Sequence, residues 1–345
     1  MAEGSVYTSR SRTRRRVRRF VIAGGLAVVV LLGAAGVGGW LYLRGVDKKV
    51  DRISVAALSD TKQSATTPEG IADGAMNILL LGSDSRDPDN TSGSRTDTIM
   101  VAHVSADHED VQLVSIPRDT WVYVPESGDG EGGENAKINS AYAWGGADLM
   151  VQTVEKFTGL QLDHVMMIDF AGFKEIIDAV GGIDIKVDKT FTSIHAPHRK
   201  FTKNAAGTTT HMDGATALDY ARQRKQFADG DFTRIAHQHQ IIKAVMDKAT
   251  STGTITDLTK LTSFLNATAS AITVDDTLSP LNLAWALRAI GSSDVTFLTN
   301  PTSGTPTIDG QSVVKSDTEK ATELWESVGS DTVATWALAN PSYVR

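Results

Sequence analysis

The sequence contains no cysteine. Disulfides, thiolate metal sites and cysteine-nucleophile chemistry are therefore excluded. Several signatures of common catalysis are also missing: no Walker A motif, no protein-kinase motif set, no HExxH and no GxSxG. Neither an internal repeat nor a linker to a second domain is evident. At 345 residues the chain has room for one large domain or two small ones. Its net charge of −7 is unevenly spread. Residues 1–52 hold eleven Lys/Arg against three Asp/Glu, which leaves −15 for the remainder. An acidic domain repels polyanions at long range, so no nucleic acid is expected as a partner. Any anion it binds needs a local cationic pocket, which makes clustered arginines informative.

Such a cluster lies between Leu218 and Gln240, in LDYARQRKQFADGDFTRIAHQHQ. It holds Arg222, Arg224, Asp231, Arg234 and Gln238. Arg222 and Arg224, at i and i+2, diverge on a helix but share one side of an extended segment. Both can face one ligand only if a helix over Asp213–Tyr220 has ended by about Ala221. Asp231 is a good N-cap for a second helix running to about Thr250, on which Asp231, Arg234 and Gln238 share a face. Guanidinium forks beside a helix start can hold phosphate.

The N-terminal region suggests where this site works. Arg-rich residues 1–19 precede Phe20–Leu43, an uncharged run of about 24 residues long enough to cross a bilayer. The basic residues before it place the N-terminus in the cytoplasm. The alternative is a cleaved signal peptide, but the run is longer than a usual signal core and has no clear A-x-A site. The protein is thus expected in the cell membrane as a single-pass protein, with everything beyond residue 45 extracytoplasmic. Residues 44–75 read as a juxtamembrane stem, and 76–329 as the folded domain. Residues 330–345 read as a tail.

Within the domain, NILLLG (77–82), TIMVAHVS (98–105), VQLVSIP (111–117), HVMMID (164–169) and IDIKV (183–187) read as strands, with a further strand near 295–298. Helices are expected at 147–157, 171–180, 257–271, 278–290 and 316–328, and a long loop at 188–212. Strand–helix alternation with apolar strands implies an α/β fold, a central mixed β-sheet flanked by helices on both faces. Charged residues recur at strand ends: Asp84 and Arg86, Arg95 and Asp97, Arg118 and Asp119, then Lys137 and Asn139. Ligands of open α/β sheets bind at strand ends. Two carboxylates among several cations suit Mg²⁺ or Mn²⁺ bridged to phosphate oxygens.

These residues closely resemble the LytR-CpsA-Psr family of cell-wall ligases. The matching motifs are NILLLGSDSR (77–86), SRTDTIMV (94–101), VSIPRDTWV (114–122), KINSAY (137–142), DAVGGIDI (178–185), DGATALDYARQRK (213–225) and GDFTRIAHQHQ (230–240), in family order. The resemblance implies a phosphotransferase. It would move a glycopolymer such as teichoic acid, capsule or arabinogalactan from a polyprenyl-pyrophosphate carrier to a peptidoglycan sugar hydroxyl. Polyprenyl phosphate would be released, and the lipid tail would need an apolar tunnel. The resemblance assigns Asp84 and Asp97 to the metal and places Arg95, Arg118, Lys137, Arg222, Arg224 and Arg234 at pyrophosphate-contacting positions. Asp231 and Gln238 match polar supporting positions, with Asp231 or a metal-bound carboxylate as proton acceptor. The sequence departs from the family at His237 and His239, where Arg and Gln are usual. His237 is therefore expected to weaken an anion contact or make it pH-dependent. Two other readings use the same residues: a pyrophosphatase that hydrolyses the donor, and a non-catalytic lipid-phosphate binding module.

Overall fold

A computed structural model describes residues 45–59, 74–84, 96–251 and 257–344. The basic tail at 1–19, the expected membrane span at 20–43 and Arg95 lie outside the described residues. Among the described residues, no helix is long and apolar enough to cross a membrane. The chain divides into two units, 1–48 and 49–345, and the second contains the folded domain.

Its centre is a mixed seven-stranded sheet. The strands are β1 (Asp51–Ile53), β2 (Met76–Ser83), β3 (Thr96–Val104), β4 (Val111–Ser115), β7 (His164–Asp169), β12 (Ile272–Asp275) and β13 (Val295–Thr299), in the order β1-β12-β7-β2-β3-β4-β13. Neighbours β1/β12, β7/β2 and β4/β13 run parallel, and the other pairs antiparallel. Two further strands, β5 (Trp121–Val124) and β6 (Glu134–Lys137), form a separate antiparallel hairpin.

The apolar run of β2 shows why the sheet needs cover on both sides. Side chains alternate across a strand. Leu79 and Leu81 enter one core while Met76 and Ile78 enter another, and all four are buried. The first core is closed by α1 (Ala56–Ser59), α2 (Ser140–Thr158), α8 (Thr318–Gly329) and α9 (Val333–Ala339). The opposite side carries α3 (Phe170–Ala179), α4 (Gly214–Ala221), α5 (Asp231–Ala249), α6 (Leu258–Ala271) and α7 (Pro280–Ala286). The expected α/β architecture, with helices on both faces, is therefore present.

Several boundaries differ from expectation. The domain begins before Met76: within the expected stem, β1 pairs with β12, and Val55 and Leu58 of the next turn are buried. The expected tail is also part of the domain, since Val333, Trp336 and Ala337 are buried in the first core. IDIKV contributes only Ile183–Ile185 (β8), which pairs with Thr210–Met212 (β11) outside the main sheet. Gly181 and Gly182, both at φ near +80°, turn the chain away at that point. A Cβ on Gly182 would lie 2.9 Å from the Met212 carbonyl oxygen, so strand and partner meet only over a glycine. The long loop at 188–212 includes β11 and a short hairpin of β9 (Phe191–Thr192) with β10 (Lys200–Phe201). Helix α2 is divided in two by Gly145 and Gly146, whose φ/ψ are non-helical, so the helix expected from 147 is its second segment and Ser140–Trp144 an additional short one.

Candidate functional site

Three chain segments converge at one end of the sheet. The first is the junction of β2 and β3. Their register slips between Gly82↔Thr98 and Ser83↔Thr96, which makes Asp97 the extra residue of a bulge. Bulges re-aim side chains. Gly82 allows the close approach, since a Cβ there would lie 2.9 Å from that of Thr98. Asp84 follows at the end of β2 and is exposed.

The second segment follows β4. A turn closed by Thr120 N–H donating to the Pro117 carbonyl (2.9 Å) carries Arg118 and Asp119. The β5–β6 hairpin then returns Lys137, whose Nζ lies 3.3 Å from Asp119 Oδ1.

The third segment is the arginine-rich stretch. Asp213 caps α4, which ends at Ala221, as the spacing of the two arginines requires. Gln223 between them is fully buried. It donates to Asp219 Oδ1 (2.6 Å) and Ser193 Oγ (3.0 Å) and accepts from Ile194 N–H (3.2 Å). Pinning Gln223 inward leaves Arg222 and Arg224 to point elsewhere. Arg222 stacks 4.5 Å over the Phe170 ring, and Arg224 binds Asp119. Helix α5 is capped by Gly230, so Asp231 is its first residue and not the expected N-cap. The i, i+3 spacing still brings Arg234 within 2.7 Å of Asp231.

Together these segments form one continuous ion-pair cluster. Arg118 donates to Asp97 and lies 3.9 Å from Asp119. Arg234 reaches Asp97 at 3.6 Å, and Arg224 reaches Asp231 at 3.5 Å. Four cations thus face Asp97, Asp119 and Asp231. Asp119, Asp231 and Arg234 are each 5% exposed or less. Burial pushes the Asp231 carboxyl up against the opposing pull of Arg234 and Arg224. Burial likewise pushes Arg234 down, with Asp231 opposing. Satisfaction is incomplete. The buried Nε atoms of Arg118 and Arg234 have no hydrogen-bond partner among the described residues, and the Asp231–Arg234 contact lacks hydrogen-bond geometry. A buried donor without a partner is accounted for by a bound water, a bound ion or a catalytic role, and an anion suits guanidinium N–H groups beside other cations.

Beside the cluster lies an apolar cavity of about 390 Å³. The sheet supplies Leu80 and Met166, and the helices supply Phe173, Val245 and Phe264. Its few polar lining residues include Asp97, Arg222, Arg234 and Gln238, two of which belong to the ion-pair cluster. Gln238, one turn beyond Arg234 on α5, thus faces the cavity.

For a divalent cation, Asp84 and Asp97 offer hard oxygen donors from adjacent strands. Both arginine contacts to Asp97 fall on Oδ1. Among the described residues no group of three or more His, Asp or Glu could form a protein-only metal cage. A carboxylate pair completed by phosphate and water is what Mg²⁺ accepts, so the residues fit that use.

Two residues stand differently from expectation. Asp119, paired with Arg118 in sequence but given no role, is the anchor for three cations. Its position after the third apolar run is the one signal that marks it. His237 does not contact the cluster's charged groups. Its ring stacks on Tyr220 at 3.9 Å, and its Nδ1 donates to the Tyr220 carbonyl at 3.2 Å. The expected pH-dependent anion contact is therefore replaced by an aromatic core contact. Burial pushes His237 down to about 4. An unfolded chain binds the proton that the folded ring refuses. Stability is thus complete above about pH 6.5 and falls as pH drops towards 4, by roughly 3 kcal/mol at most. The melting temperature of the wild type should fall between pH 7 and pH 5, and His237→Phe should remove much of that fall. An equal fall in both proteins would exclude His237 as its source.

The LytR_cpsA_psr family model matches residues 41–329. A Bacillus mycoides protein named polyisoprenyl-teichoic acid–peptidoglycan teichoic acid transferase TagU is 34% identical over 229 residues, covering 65% of this chain and 70% of the relative. The Bacillus subtilis transferase TagV is 32% identical over 251 residues, covering 72% of this chain and 62% of the relative. A crystal structure of B. subtilis TagV superposes with a TM-score of 0.62 at 28% identity, over 76% of this chain and 98% of that one. With the family model spanning the sheet, the ion-pair cluster and the apolar cavity alike, the chain belongs to the LytR_cpsA_psr family.

Proposed function

We propose that the protein is a membrane-anchored, extracytoplasmic phosphotransferase. It moves a glycopolymer, with one phosphate, from a polyprenyl-pyrophosphate carrier to a peptidoglycan sugar hydroxyl. The observation that carries this reading is the contact between an apolar cavity and a part-buried ion-pair cluster in which the Nε groups of Arg118 and Arg234 have no hydrogen-bond partner among the described residues. A lipid pyrophosphate needs both, in that order. The relatives' names as teichoic acid transferases support the class. An anchor at 20–43 would hold the site at the outer leaflet, where such a donor lies.

In the reaction, the acceptor hydroxyl oxygen forms a bond to the phosphorus that bears the polymer. The bond from that phosphorus to the bridging oxygen breaks, and polyprenyl phosphate leaves with the electron pair. Arg118, Lys137, Arg224 and Arg234 balance the charge on the non-bridging and leaving oxygens, and Arg222 and Gln238 orient the donor where lipid meets phosphate. Arg95, by the resemblance, joins the pyrophosphate contacts. Asp231, buried between Arg224 and Arg234, orients those guanidinium groups. Asp97 is 23% exposed and is the more accessible carboxylate for the hydroxyl proton. Asp84 and Asp97 would hold Mg²⁺ or Mn²⁺, which when bound neutralises pyrophosphate charge. Asp97→Ala should leave lipid binding measurable while transfer stops. Unchanged transfer by that variant would remove Asp97 from the metal site.

The decisive experiment incubates the protein with labelled polyprenyl-pyrophosphate oligosaccharide and peptidoglycan fragments. Label on the fragments is the expected result. Label found only as free phosphorylated sugar would identify a pyrophosphatase, and no turnover with bound donor would identify a lipid-binding module.

A further inference from the structure

A second recess, of about 880 Å³, lies beyond the cluster. Trp121 of β5, Phe157 near the end of α2, and Trp325 and Glu326 of α8 line it, with Ile308 and Lys315 from the segment that precedes α8. Its relation to the cluster is set by backbone register. Trp121 stands directly opposite Lys137 in the β5–β6 hairpin. Residues so paired project from the same face, with Cβ atoms about 5 Å apart. On the other side, Trp121 N–H donates to the Val314 carbonyl (2.9 Å), and Val314 N–H donates to the Asp119 carbonyl (2.8 Å). Lys315 is the next residue. The recess therefore starts one side chain past Lys137.

The ion pairs run in a chain from Arg234 through Asp97, Arg118 and Asp119 to Lys137. The lipid cavity touches this chain at Arg234 and Asp97. The recess adjoins its far end. In phosphoryl transfer the attacking and leaving oxygens lie roughly in line on opposite sides of phosphorus. If the leaving polyprenyl phosphate occupies the cavity end, the acceptor enters from the Lys137 end. The lining suits a sugar. Aromatic rings offer faces for the C–H side of a pyranose, and Lys315 and Glu326 offer partners for its hydroxyl and amide groups. A second lipid tail would instead strip water from both charges without replacing it. The accessible ring faces are those of the half-buried Trp121 and Phe157, while Trp325, 2% exposed and with its Nε1 donating to Asn300 Oδ1 at 2.9 Å, closes the recess from the core side.

We propose that this recess is the subsite for the acceptor glycan, with a peptidoglycan sugar ring stacked on Trp121 and its reacting hydroxyl directed past Lys137 towards the phosphorus. The assignment rests on the transfer reaction proposed above. The test uses the full chain in detergent and two variants. Trp121→Ala removes the stacking face. Thr322→Trp fills the recess from an exposed position on α8, where no core contact is lost. Trp121→Ala should raise KM for a soluble peptidoglycan glycan fragment about tenfold, the loss of one stacked ring, and Thr322→Trp, which occupies the recess, at least as much. The KM for a polyprenyl-pyrophosphate oligosaccharide donor and kcat at saturating acceptor should stay within about twofold. Direct titration of the donor-free protein with the same fragment should show binding to wild type that Thr322→Trp weakens at least about tenfold. Acceptor KM unchanged in both variants, or a shift in donor KM alone, would overturn the assignment. Should wild type show no transfer, the reaction itself fails. The titration then still decides the recess, and fragment binding equal in wild type and Thr322→Trp would refute it.

Discussion

Arg118→Ala should lower kcat for transfer by on the order of 10²–10³-fold while donor binding persists. That is the usual loss when one preorganised donor to a developing oxyanion is removed. Arg118 stands at the middle of the ion-pair chain, linking Asp97 to Asp119, and its Nε is buried without a hydrogen-bond partner among the described residues. It is not among the residues lining the apolar cavity, whereas Arg222 and Arg234 are. Donor affinity should therefore survive, and the deficit should lie in kcat. Arg118→Lys should recover little, because a single ammonium cannot reproduce the planar fork that holds Asp97 and offers Nε at once. Steady-state kinetics with labelled donor would check both. A deficit confined to KM would make Arg118 a binding residue only.

Asp231→Ala should cost about 3–5 kcal/mol of stability, because it leaves Arg234 buried without its close partner. Asp231 and Arg234 are 5% and 3% exposed and 2.7 Å apart. In a domain of this size the loss corresponds to a fall in Tm on the order of 10 °C. Replacing both residues together by apolar ones of similar volume, Asp231→Leu with Arg234→Met, should restore most of the stability. Ion pairs taken from water contribute little net energy over good apolar packing. The double variant should nevertheless remain inactive, because the orientation of Arg224 and the contact of Arg234 with Asp97 are both gone. A double variant no more stable than Asp231→Ala would show that the site cannot repack. Thermal melts paired with the transfer assay separate the two roles.

The contrast between NILLLG and ITVD explains which strands could be read from the sequence. Six residues with apolar side chains on both faces announce a buried central strand. Four residues between two helices carry too little periodicity to be distinguished from a helix end, yet Ile272–Asp275 bridges β1 to β7 and completes the sheet. The same holds for Asp51–Ile53, polar in sequence and a strand only because β12 presents an open edge. Trp336 within an apparent tail is similar: its burial depends on a core assembled far upstream.

The site divides along the same line. Local spacing was enough to place Arg222 and Arg224 beyond a helix end and Asp231 and Arg234 on one helical face, because i, i+2 and i, i+3 relations are set by backbone geometry alone. Composition was enough to make a cationic cluster in an acidic domain noteworthy. Beyond its place after the third apolar run, nothing local marks Asp119 as the anchor of Arg118, Arg224 and Lys137. Those contacts exist only because a turn after β4, a hairpin and a helix end over a hundred residues away meet at one point. His237 shows the reverse case. Its position in the arginine-rich motif suggests the anion site, but the helix turns its ring onto Tyr220, and desolvation keeps it neutral. What the sequence alone determined about this protein is its family, its layered fold and the list of charged groups. Which groups face one another, which face the apolar cavity and which are withdrawn from the site was decided by the tertiary structure, because burial and ion pairing depend on distances between segments that no local pattern encodes.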